Sequence, residues 1–194
     1  MRLAASRTGQ ILSLNTFASD IGVSPITIKS WLAVLEASQI IYLLEPFYEN
    51  LGKRLVKTPK LYFLDTGLAC FLSGFRNAGD LAKSTMLGAM FETLALGQIV
   101  RKYANRGMEE QICFYRDHQG IEVDFVIPVG RQLKLYECKV SEDPGPVKAF
   151  QQMERFFGTK RILSKTVLTP LRGHRKTSDG TFIEDCVDLK SLEI

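Results

Sequence analysis

Apolar and charged positions alternate most regularly between Ile112 and Val140. Two apolar runs, Ile121–Ile127 and Leu133–Val140, contain charges spaced two residues apart, and Pro128-Val129-Gly130-Arg131 lies between them. These charges are Glu122 and Asp124 in the first run and Glu137 and Lys139 in the second. Alternation with period two is the strand pattern, and Pro-x-Gly is a turn signal. The segment therefore predicts a β-hairpin with a four-residue loop.

The predicted hairpin collects charged side chains on one face. A four-residue loop pairs Ile127 with Gln132, so even positions of the first strand share a face with odd positions of the second. The charged residues on that face are Glu122, Asp124, Glu137 and Lys139. In this register Glu122 lies opposite Glu137, and a slip of two residues keeps the same face.

This charged face supports two interpretations. Like charges repel across a strand pair, so a fold that gathers them usually places a cation or a substrate there. Mg²⁺ prefers carboxylate oxygens and keeps several waters, and a nearby lysine would position a water or stabilise charge on a phosphate oxygen. The alternative is a solvated face with compensating charges, because any half-exposed antiparallel strand alternates in this way.

The first forty residues predict two helices joined by a tight turn. Leu14, Phe17, Ala18 and Ile21 have helical spacing, and Gly22 ends that helix. Ser24 and Pro25 then provide an N-cap and a first helical residue. The second helix places Ile28, Trp31, Leu32 and Leu35 on one apolar face, which assigns Trp31 to the core.

A β-hairpin is predicted after these helices. Its strands are Ile40–Phe47 and Lys60–Leu64, with a turn at Glu49–Gly52. Two helices followed by such a hairpin form a winged helix-turn-helix. The basic residues of the hairpin are Lys53, Arg54, Lys57 and Lys60.

The exposed start of the second helix is a poor reader of bases, because it offers Pro25, Ile26, Lys29 and Ser30. Contacts to DNA are therefore expected to go to phosphates, through Lys29, Lys53, Arg54 and Lys57. The exposed Ile26 favours packing or docking of a protein partner at this surface, and contact with DNA phosphates is the alternative.

The remainder of the chain predicts a second set of elements. Asp65 or Thr66 caps a short helix, and residues 73–83 form a linker or long loop. Residues 84–103 form the longest helix, in which Glu92 has only small or apolar neighbours three and four residues away. Glu92 therefore either enters a close-packed site or lies at the edge of the apolar stripe. Strand 112–116, the charged hairpin, helix 146–157 and strand 161–168 follow, then a polar loop in the 170s.

Composition narrows the functional class. The chain has 194 residues, 45% apolar and 24% charged, with a net charge of +4, as in a globular protein that tolerates an anionic partner. No apolar run approaches the roughly 20 residues of a membrane helix, and no signal peptide begins the chain, so a cytoplasmic location is expected. The four cysteines form no CxxC pair, and no phosphate-binding loop or other nucleotide site is present.

Glu92 on a helix, Asp124 on the second strand and Glu137-x-Lys139 on the third resemble the restriction-endonuclease-like PD-(D/E)xK core, in the variant of the Holliday-junction resolvases. This resemblance implies a fold of class α/β (α+β), with a winged helix-turn-helix over residues 1–72, a linker over 73–83, and a mixed sheet flanked by helices over 84–194.

The whole chain is also similar to the C-terminal domain of unknown function that follows the ATPase in certain prokaryotic AAA-type ATP-binding proteins. The matching residues are Arg7-Thr8-Gly9-Gln10, Val23-Ser24-Pro25, Trp31-Leu32, Leu35-Glu36-Ala37-Ser38, Asn50-Leu51-Gly52-Lys53-Arg54, Lys57-Thr58-Pro59-Lys60-Leu61-Tyr62-Phe63-Leu64-Asp65-Thr66-Gly67, Phe91-Glu92, Tyr115-Arg116-Asp117 and Glu122-Val123-Asp124. The similarity implies a partner ATPase domain, either before Met1 or on another chain.

Two functions are expected from these resemblances. The first is a DNA phosphodiesterase that uses Mg²⁺ or Mn²⁺, with Asp124, Glu137 and Glu92 as metal ligands and Lys139 orienting the nucleophilic water. Arg116 would hold a phosphate or pair with a carboxylate, and Glu122 would support the site or face solvent. The second is a binding and regulatory module in which Lys139 forms an ion pair with Asp124 or Glu137. The acidic Val140–Pro144 segment departs from the basic helix expected after Glu-x-Lys.

Overall fold

A computed structural model of the chain describes residues 1–48, 57–109, 111–141 and 143–192. The fold is mixed α/β, as predicted, and the described strands form one sheet of three strands and one of six. The α-helices are α1 (Arg2–Ala5), α2 (Leu14–Ile21), α3 (Pro25–Ala37), α4 (Thr66–Leu72), α5 (Ala78–Ala82), α6 (Leu87–Ala104) and α7 (Lys148–Phe157). The strands are β1 (Gln10–Ile11), β2 (Ile41–Leu44), β3 (Lys60–Phe63), β4 (Cys113–Arg116), β5 (Glu122–Val129), β6 (Gln132–Cys138), β7 (Ile162–Thr169), β8 (His174–Lys176) and β9 (Phe182–Asp185).

The chain divides into two compact units. The first contains Met1–Leu44 and Thr58–Gly97, and the second contains Glu45–Lys57 and Gln98–Ile194. None of the described helices is long and apolar enough to cross a membrane.

In the first unit, α2 ends and α3 begins at the residues that the sequence predicts. Gly22 ends α2 with a φ of 80°, a left-handed conformation that favours glycine. The Ser24 side chain accepts a hydrogen bond of 3.1 Å from the Thr27 N–H, and Pro25 is the first residue of α3. Asp65 caps α4 in the same way, through the Leu68 N–H at 2.6 Å.

The core of the first unit lies between these helices and the N-terminal sheet, whose strand order is β1-β3-β2. Strand β2 pairs antiparallel with β3, which confirms the predicted pairing of these two runs. Phe17, Ile28 and Leu32 from the helices pack with Leu61 and Phe63 from the sheet. Burial of such side chains is the main source of stability for the unit.

Two expectations about the first unit are wrong. Trp31 is 50% exposed rather than part of the core, because the buried side of α3 is formed by Ile28 and Leu32. Lys60 is only 2% exposed, so it does not belong to a basic surface. The predicted turn at Glu49–Gly52 lies outside the described residues.

The segment predicted as a linker, residues 73–83, contains helix α5. Asn77 caps this helix by accepting a hydrogen bond of 3.0 Å from the Asp80 N–H. Phe75 and Leu81 pack against the core of the first unit. The segment is therefore folded onto that unit.

The second unit is built on the C-terminal sheet, with strand order β4-β5-β6-β7-β9-β8. Strands β4, β5 and β6 are antiparallel neighbours, whereas β6, β7 and β9 run parallel. Helix α7 makes the connection between β6 and β7, and its Phe150 and Met153 pack with Leu133 and Leu135. The predicted order of helix, three strands, helix and strand is confirmed.

The register of the hairpin differs from the prediction by two residues. Val129 pairs with Gln132 and Phe125 with Tyr136, so the loop is Gly130-Arg131 and the predicted pairing of Ile127 with Gln132 is wrong. Pro128 lies within β5. Because β4 pairs with β5 only as far as Val126, the absence of an N–H on Pro128 removes no hydrogen bond to β4. A shift of two residues preserves the face, as expected.

The polar segment in the 170s is not only a loop. It contains β8, an exposed edge strand that pairs antiparallel with β9. After β9, a 3₁₀ helix over Lys190–Leu192 brings the buried Leu192 to the second unit.

Candidate functional site

The structure brings Asp124, Glu137 and Lys139 together on one face of the C-terminal sheet. Phe125 pairs with Tyr136, so the next residues along β5 and β6 are Asp124 and Glu137. The predicted pairing of Glu122 with Glu137 is therefore wrong, since Asp124 takes that position. Lys139 follows β6 directly, and its N–H donates to the carbonyl of Leu168 at 2.9 Å, which fixes its backbone beside β7.

The two carboxylates differ in their surroundings. The Glu137 side chain is 12% exposed, and its Oε1 lies 2.8 Å from Lys139 Nζ. Asp124 Oδ2 accepts a hydrogen bond of 2.8 Å from the Cys138 N–H. Both contacts orient the carboxylates and hold negative charge near the end of β6.

The Lys139 ammonium keeps its charge at this position. Burial lowers its pKa, but the hydrogen bond and charge of Glu137, together with the charge of Asp124, outweigh burial, so its pKa is raised above the ordinary value of a lysine. The ammonium is 46% exposed and borders an open cleft. It can therefore attract a negatively charged oxygen there, but it cannot serve as a base near neutral pH.

The cleft beside these residues has a volume of about 570 Å³. Glu122, Glu137 and Lys139 line one side, and Lys148 and Gln152 of α7 line another. Lys148 and Gln152 were not identified from the sequence. Their spacing of four residues on an amphipathic helix was the available signal, since it places both on one helix side.

Arg116 lies at the edge of the same sheet face. It pairs with Glu122 in the β4–β5 register, and its Nη1 lies 3.3 Å from Glu122 Oε2. Of the two roles expected for Arg116, the structure therefore contains the pairing with a carboxylate. Both side chains are partly exposed, so this ion pair contributes little to stability.

Glu92 belongs to the first unit, unlike the other three predicted site residues. Its carboxylate accepts hydrogen bonds from Lys60 Nζ at 2.9 Å and from the Tyr62 hydroxyl. The side chain is 15% exposed, which confirms that it enters a close-packed environment rather than solvent. Its role as a metal ligand stays a prediction.

Asp124 and Glu137 are compatible with a Mg²⁺ site that has two protein carboxylates as ligands. Among residues that the structure describes, no group of three or more His, Cys, Asp and Glu side chains is close enough to hold a metal. Asp124 and Glu137 alone supply two carboxylates, which is the number that Mg²⁺ commonly takes when waters and phosphate oxygens complete its shell.

The structure describes two of the four basic residues that the predicted winged helix would use to contact phosphates. Lys29 and Lys57 are exposed, as phosphate-binding lysines must be. Lys53 and Arg54 lie outside the described residues.

Comparisons with known proteins find families without an assigned function. A family model described as "Domain of unknown function (DUF8612)" matches residues 1–79, and another described as "Domain of unknown function (DUF4143)" matches residues 87–184. Uncharacterized proteins of Mycobacterium tuberculosis and Mycobacterium bovis are each 28% identical over 136 residues, which is 70% of this chain. The match spans only 30% of the length of each relative. No solved structure matches the chain.

Proposed function

The chain belongs to the DUF4143 family, and we propose that it is the C-terminal module of an AAA-type ATPase that hydrolyses DNA phosphodiester bonds with Mg²⁺. Domains of this family are often associated with AAA-type ATPases. The relatives are more than three times as long as the matched segment, which leaves room in them for such a domain. Neither observation assigns an activity, so the proposal depends on the geometry of the two units.

The element order of the first unit supports a winged helix. Its elements follow as helix, strand, helix, helix, strand and strand, and the sheet has the order β1-β3-β2. Helix α3 then takes the position of a recognition helix. Its exposed Ile26 is unsuited to reading bases, so any DNA contact by this unit is assigned to lysines and phosphates.

The second unit supports a nuclease-like core, and one observation carries the proposal. Asp124 on β5 lies beside Glu137-x-Lys139 on β6, and Glu137 and Lys139 line an open cleft. A helical crossover to a parallel strand follows, as in the restriction-endonuclease-like order. Two acids can hold Mg²⁺ and a neighbouring lysine can orient the attacking water, so this set suits Mg²⁺-dependent hydrolysis of a phosphodiester.

The residues of the cleft have distinct proposed roles. Asp124 and Glu137 would hold the metal ion, which supplies Lewis acidity and a reactive water when bound. Lys139 orients the nucleophile and stabilises negative charge on the phosphate, since it stays protonated. Lys148 on the opposite wall binds a phosphate oxygen, which provides the basic contact that the acidic 140–144 segment lacks.

Cleavage of DNA tests this proposal directly. Plasmid, single-stranded and branched DNA are incubated with the protein and Mg²⁺ or Mn²⁺, and the products are separated on gels. We expect metal-dependent cleavage that Lys139→Met abolishes, whereas Lys160→Met, which changes an exposed lysine away from the cleft, leaves it intact. Equal cleavage by the wild type and Lys139→Met would reject this site.

A binding and regulatory module is the second candidate function. It is favoured by the ion pair of Lys139 with Glu137, because the lysine neutralises the charge of that carboxylate without a metal ion. Under this function the protein docks DNA or the ATPase without chemistry. A calorimetric titration with Mn²⁺ separates the two functions. The nuclease function predicts that the wild type binds Mn²⁺ and that Asp124→Asn abolishes this binding, whereas the binding module needs no metal.

A further inference from the structure

A second polar site lies on the opposite face of the C-terminal sheet from Asp124, Glu137 and Lys139. Lys134 occupies an even position on β6 and therefore faces away from Glu137. It pairs with Ser164 of β7, and Glu184 of β9 pairs with His174 of β8. Paired residues share a face of the sheet. Ser164 and Leu168 lie on the same face of β7, and Leu168 pairs with Glu184. The side chains of Lys134, Ser164, His174 and Glu184 therefore all lie on this face.

A buried carboxylate holds the histidine of this face. Glu184 has a fully buried side chain, and its Oε1 lies 2.8 Å from His174 Nδ1. The same carboxylate accepts the Ser191 hydroxyl at 2.7 Å and the Ser191 N–H at 3.0 Å. Because Nδ1 is committed to Glu184, the Nε2 nitrogen is the one that His174 offers to a ligand.

Basic groups surround this histidine. Lys134, His174 and Lys190 line a single cleft of about 410 Å³. Lys134 Nζ is fixed by the Ser191 carbonyl at 2.8 Å, whereas the Lys190 side chain is 58% exposed. Among the described residues, Lys190 has a carboxylate neighbour in Asp188 at 3.7 Å, which is a weak surface contact.

An aromatic ring and hydroxyl groups complete the cleft. Phe182 lines it, with the His174 ring at 5.3 Å and the Lys176 ammonium at 5.0 Å from its ring centre. The hydroxyl of Ser164, another lining residue, has no hydrogen-bond partner among the described residues. The cleft therefore combines cations, hydroxyls and an aromatic face.

We propose that this cleft binds a phosphate group, held by Lys134, Lys190 and His174 and flanked by Phe182. A phosphate has more negative charge and more acceptor oxygens than a carboxylate. Two ammonium groups and an imidazole therefore suit a phosphate ligand better than a carboxylate ligand. Glu184, which also lines the cleft, has a fully buried side chain that accepts hydrogen bonds from His174 and Ser191 and so holds the histidine in place. The site lies on the face away from the proposed nuclease residues and does not depend on the proposed function.

The phosphate has two possible sources, a free phosphorylated small molecule or the backbone of a nucleic acid. Amide NMR spectra of the full chain are recorded during titration with inorganic phosphate and with thymidine monophosphate. Fluorescence anisotropy then measures binding of a labelled oligothymidine at several salt concentrations. The variants are Lys190→Gln, His174→Gln and their combination, with Lys160→Gln as the matched control.

We expect inorganic phosphate or the nucleotide to bind the wild type, and each variant to bind it about tenfold more weakly, as for the loss of one charged hydrogen bond. This result would establish the site and identify a free phosphorylated small molecule as the source of the phosphate. Binding of the oligonucleotide alone, with a salt dependence that Lys190→Gln reduces by about one charge, would identify nucleic acid. Variants that bind like Lys160→Gln, or a wild type that binds none of these probes, would overturn the proposal.

The experiment is independent of the nuclease proposal. Asp124→Asn lies on the other face and is expected to leave phosphate binding at this cleft unchanged. Because Lys190 is exposed, its substitution leaves the fold intact, and unfolding curves of all variants verify this. Failure of DNA cleavage would therefore leave this site standing, and failure of phosphate binding here would leave the nuclease proposal standing.

Discussion

The ammonium of Lys139 lies 2.8 Å from a carboxylate oxygen of Glu137, two residues earlier in the chain. The residue between them, Cys138, donates its N–H to Asp124. Three consecutive positions, 137–139, thus hold both carboxylates at the end of β6, where Glu137 and Lys139 line the cleft. This relationship links the hairpin register to the proposed chemistry, because a shift of one residue would turn Glu137 and Lys139 to the other face.

The first prediction concerns the pH dependence of the Lys139 contribution to stability. Since the folded-state pKa of Lys139 is raised above its unfolded-state value, its ion pair stabilises the fold fully below the unfolded-state pKa, and this contribution is lost as the pH rises through the folded-state pKa. Lys139→Met should therefore lower the free energy of unfolding by a constant amount, at most about 1 kcal/mol because the group is partly exposed, up to about pH 10. Urea unfolding of both proteins from pH 7 to 11 measures the difference. A deficit that disappears already at pH 8 would contradict the assignment.

The second prediction concerns the pair of Lys60 with Glu92. The Lys60 side chain is 3% exposed, so its removal leaves a largely buried carboxylate without its cation. Lys60→Met should destabilise the protein by about 3–5 kcal/mol. Adding Glu92→Gln should recover part of that loss, because it removes the uncompensated charge.

A double-mutant cycle on these two residues checks the argument. Chemical unfolding of the wild type, both single variants and the double variant gives the coupling energy, expected at about 0.5–3 kcal/mol. Additive losses would mean that the pair does not interact. Measuring DNA cleavage by Glu92→Gln in the same series tests its predicted role as a metal ligand.

Much of the local structure is predictable from the sequence, because caps and turns act over a few residues. Gly22 predicted the end of α2, Ser24 and Pro25 predicted the start of α3, and Asp65 was one of two predicted caps for α4. The charged face was also predictable, since parity alone decides it. The loop length was not, because Pro128 is as compatible with a strand edge as with a turn.

Contacts between distant residues could not be predicted. Lys60 resembles a surface lysine in its own segment, and its partner Glu92 lies 32 residues later. The edge strand β8 consists of three exposed polar residues, so no hydrophobic pattern indicated it. Lys148 and Gln152 entered the site only through the packing of α7 on the sheet.

The third prediction concerns the turn between α2 and α3. Gly22 has a φ of 80°, and its chain neighbours aside, no atom of the described residues lies within 4 Å of the position that a Cβ would occupy. Gly22→Ala should therefore cost about 1–2 kcal/mol through backbone strain alone. Gly22→Asn should cost less, since asparagine tolerates this conformation. Thermal unfolding of both variants measures the difference, and equal costs would point to a steric cause instead.

The fourth prediction concerns the reactivity of Cys186. Burial, with a smaller contribution from the charge of Asp185, raises the pKa of its thiol to about 11. At pH 8 the reactive thiolate is therefore scarce, and Cys186 should resist alkylation by iodoacetamide in the folded protein. Peptide mass spectrometry after labelling, with guanidinium-unfolded protein as the control, measures the modified fraction. Rapid labelling of Cys186 in the native state would contradict the placement of its side chain.

The most direct test of the proposed site is the rate of Mg²⁺-dependent nicking of supercoiled plasmid by the wild type and by Asp124→Asn. Asparagine keeps an oxygen that accepts the Cys138 N–H but removes the charge needed for a cation, so the fold should persist. We expect nicking by the wild type that requires the metal and falls to background in Asp124→Asn. Equal nicking by the two proteins, or none by the wild type with either Mg²⁺ or Mn²⁺ on any DNA substrate, would contradict a catalytic role for these residues.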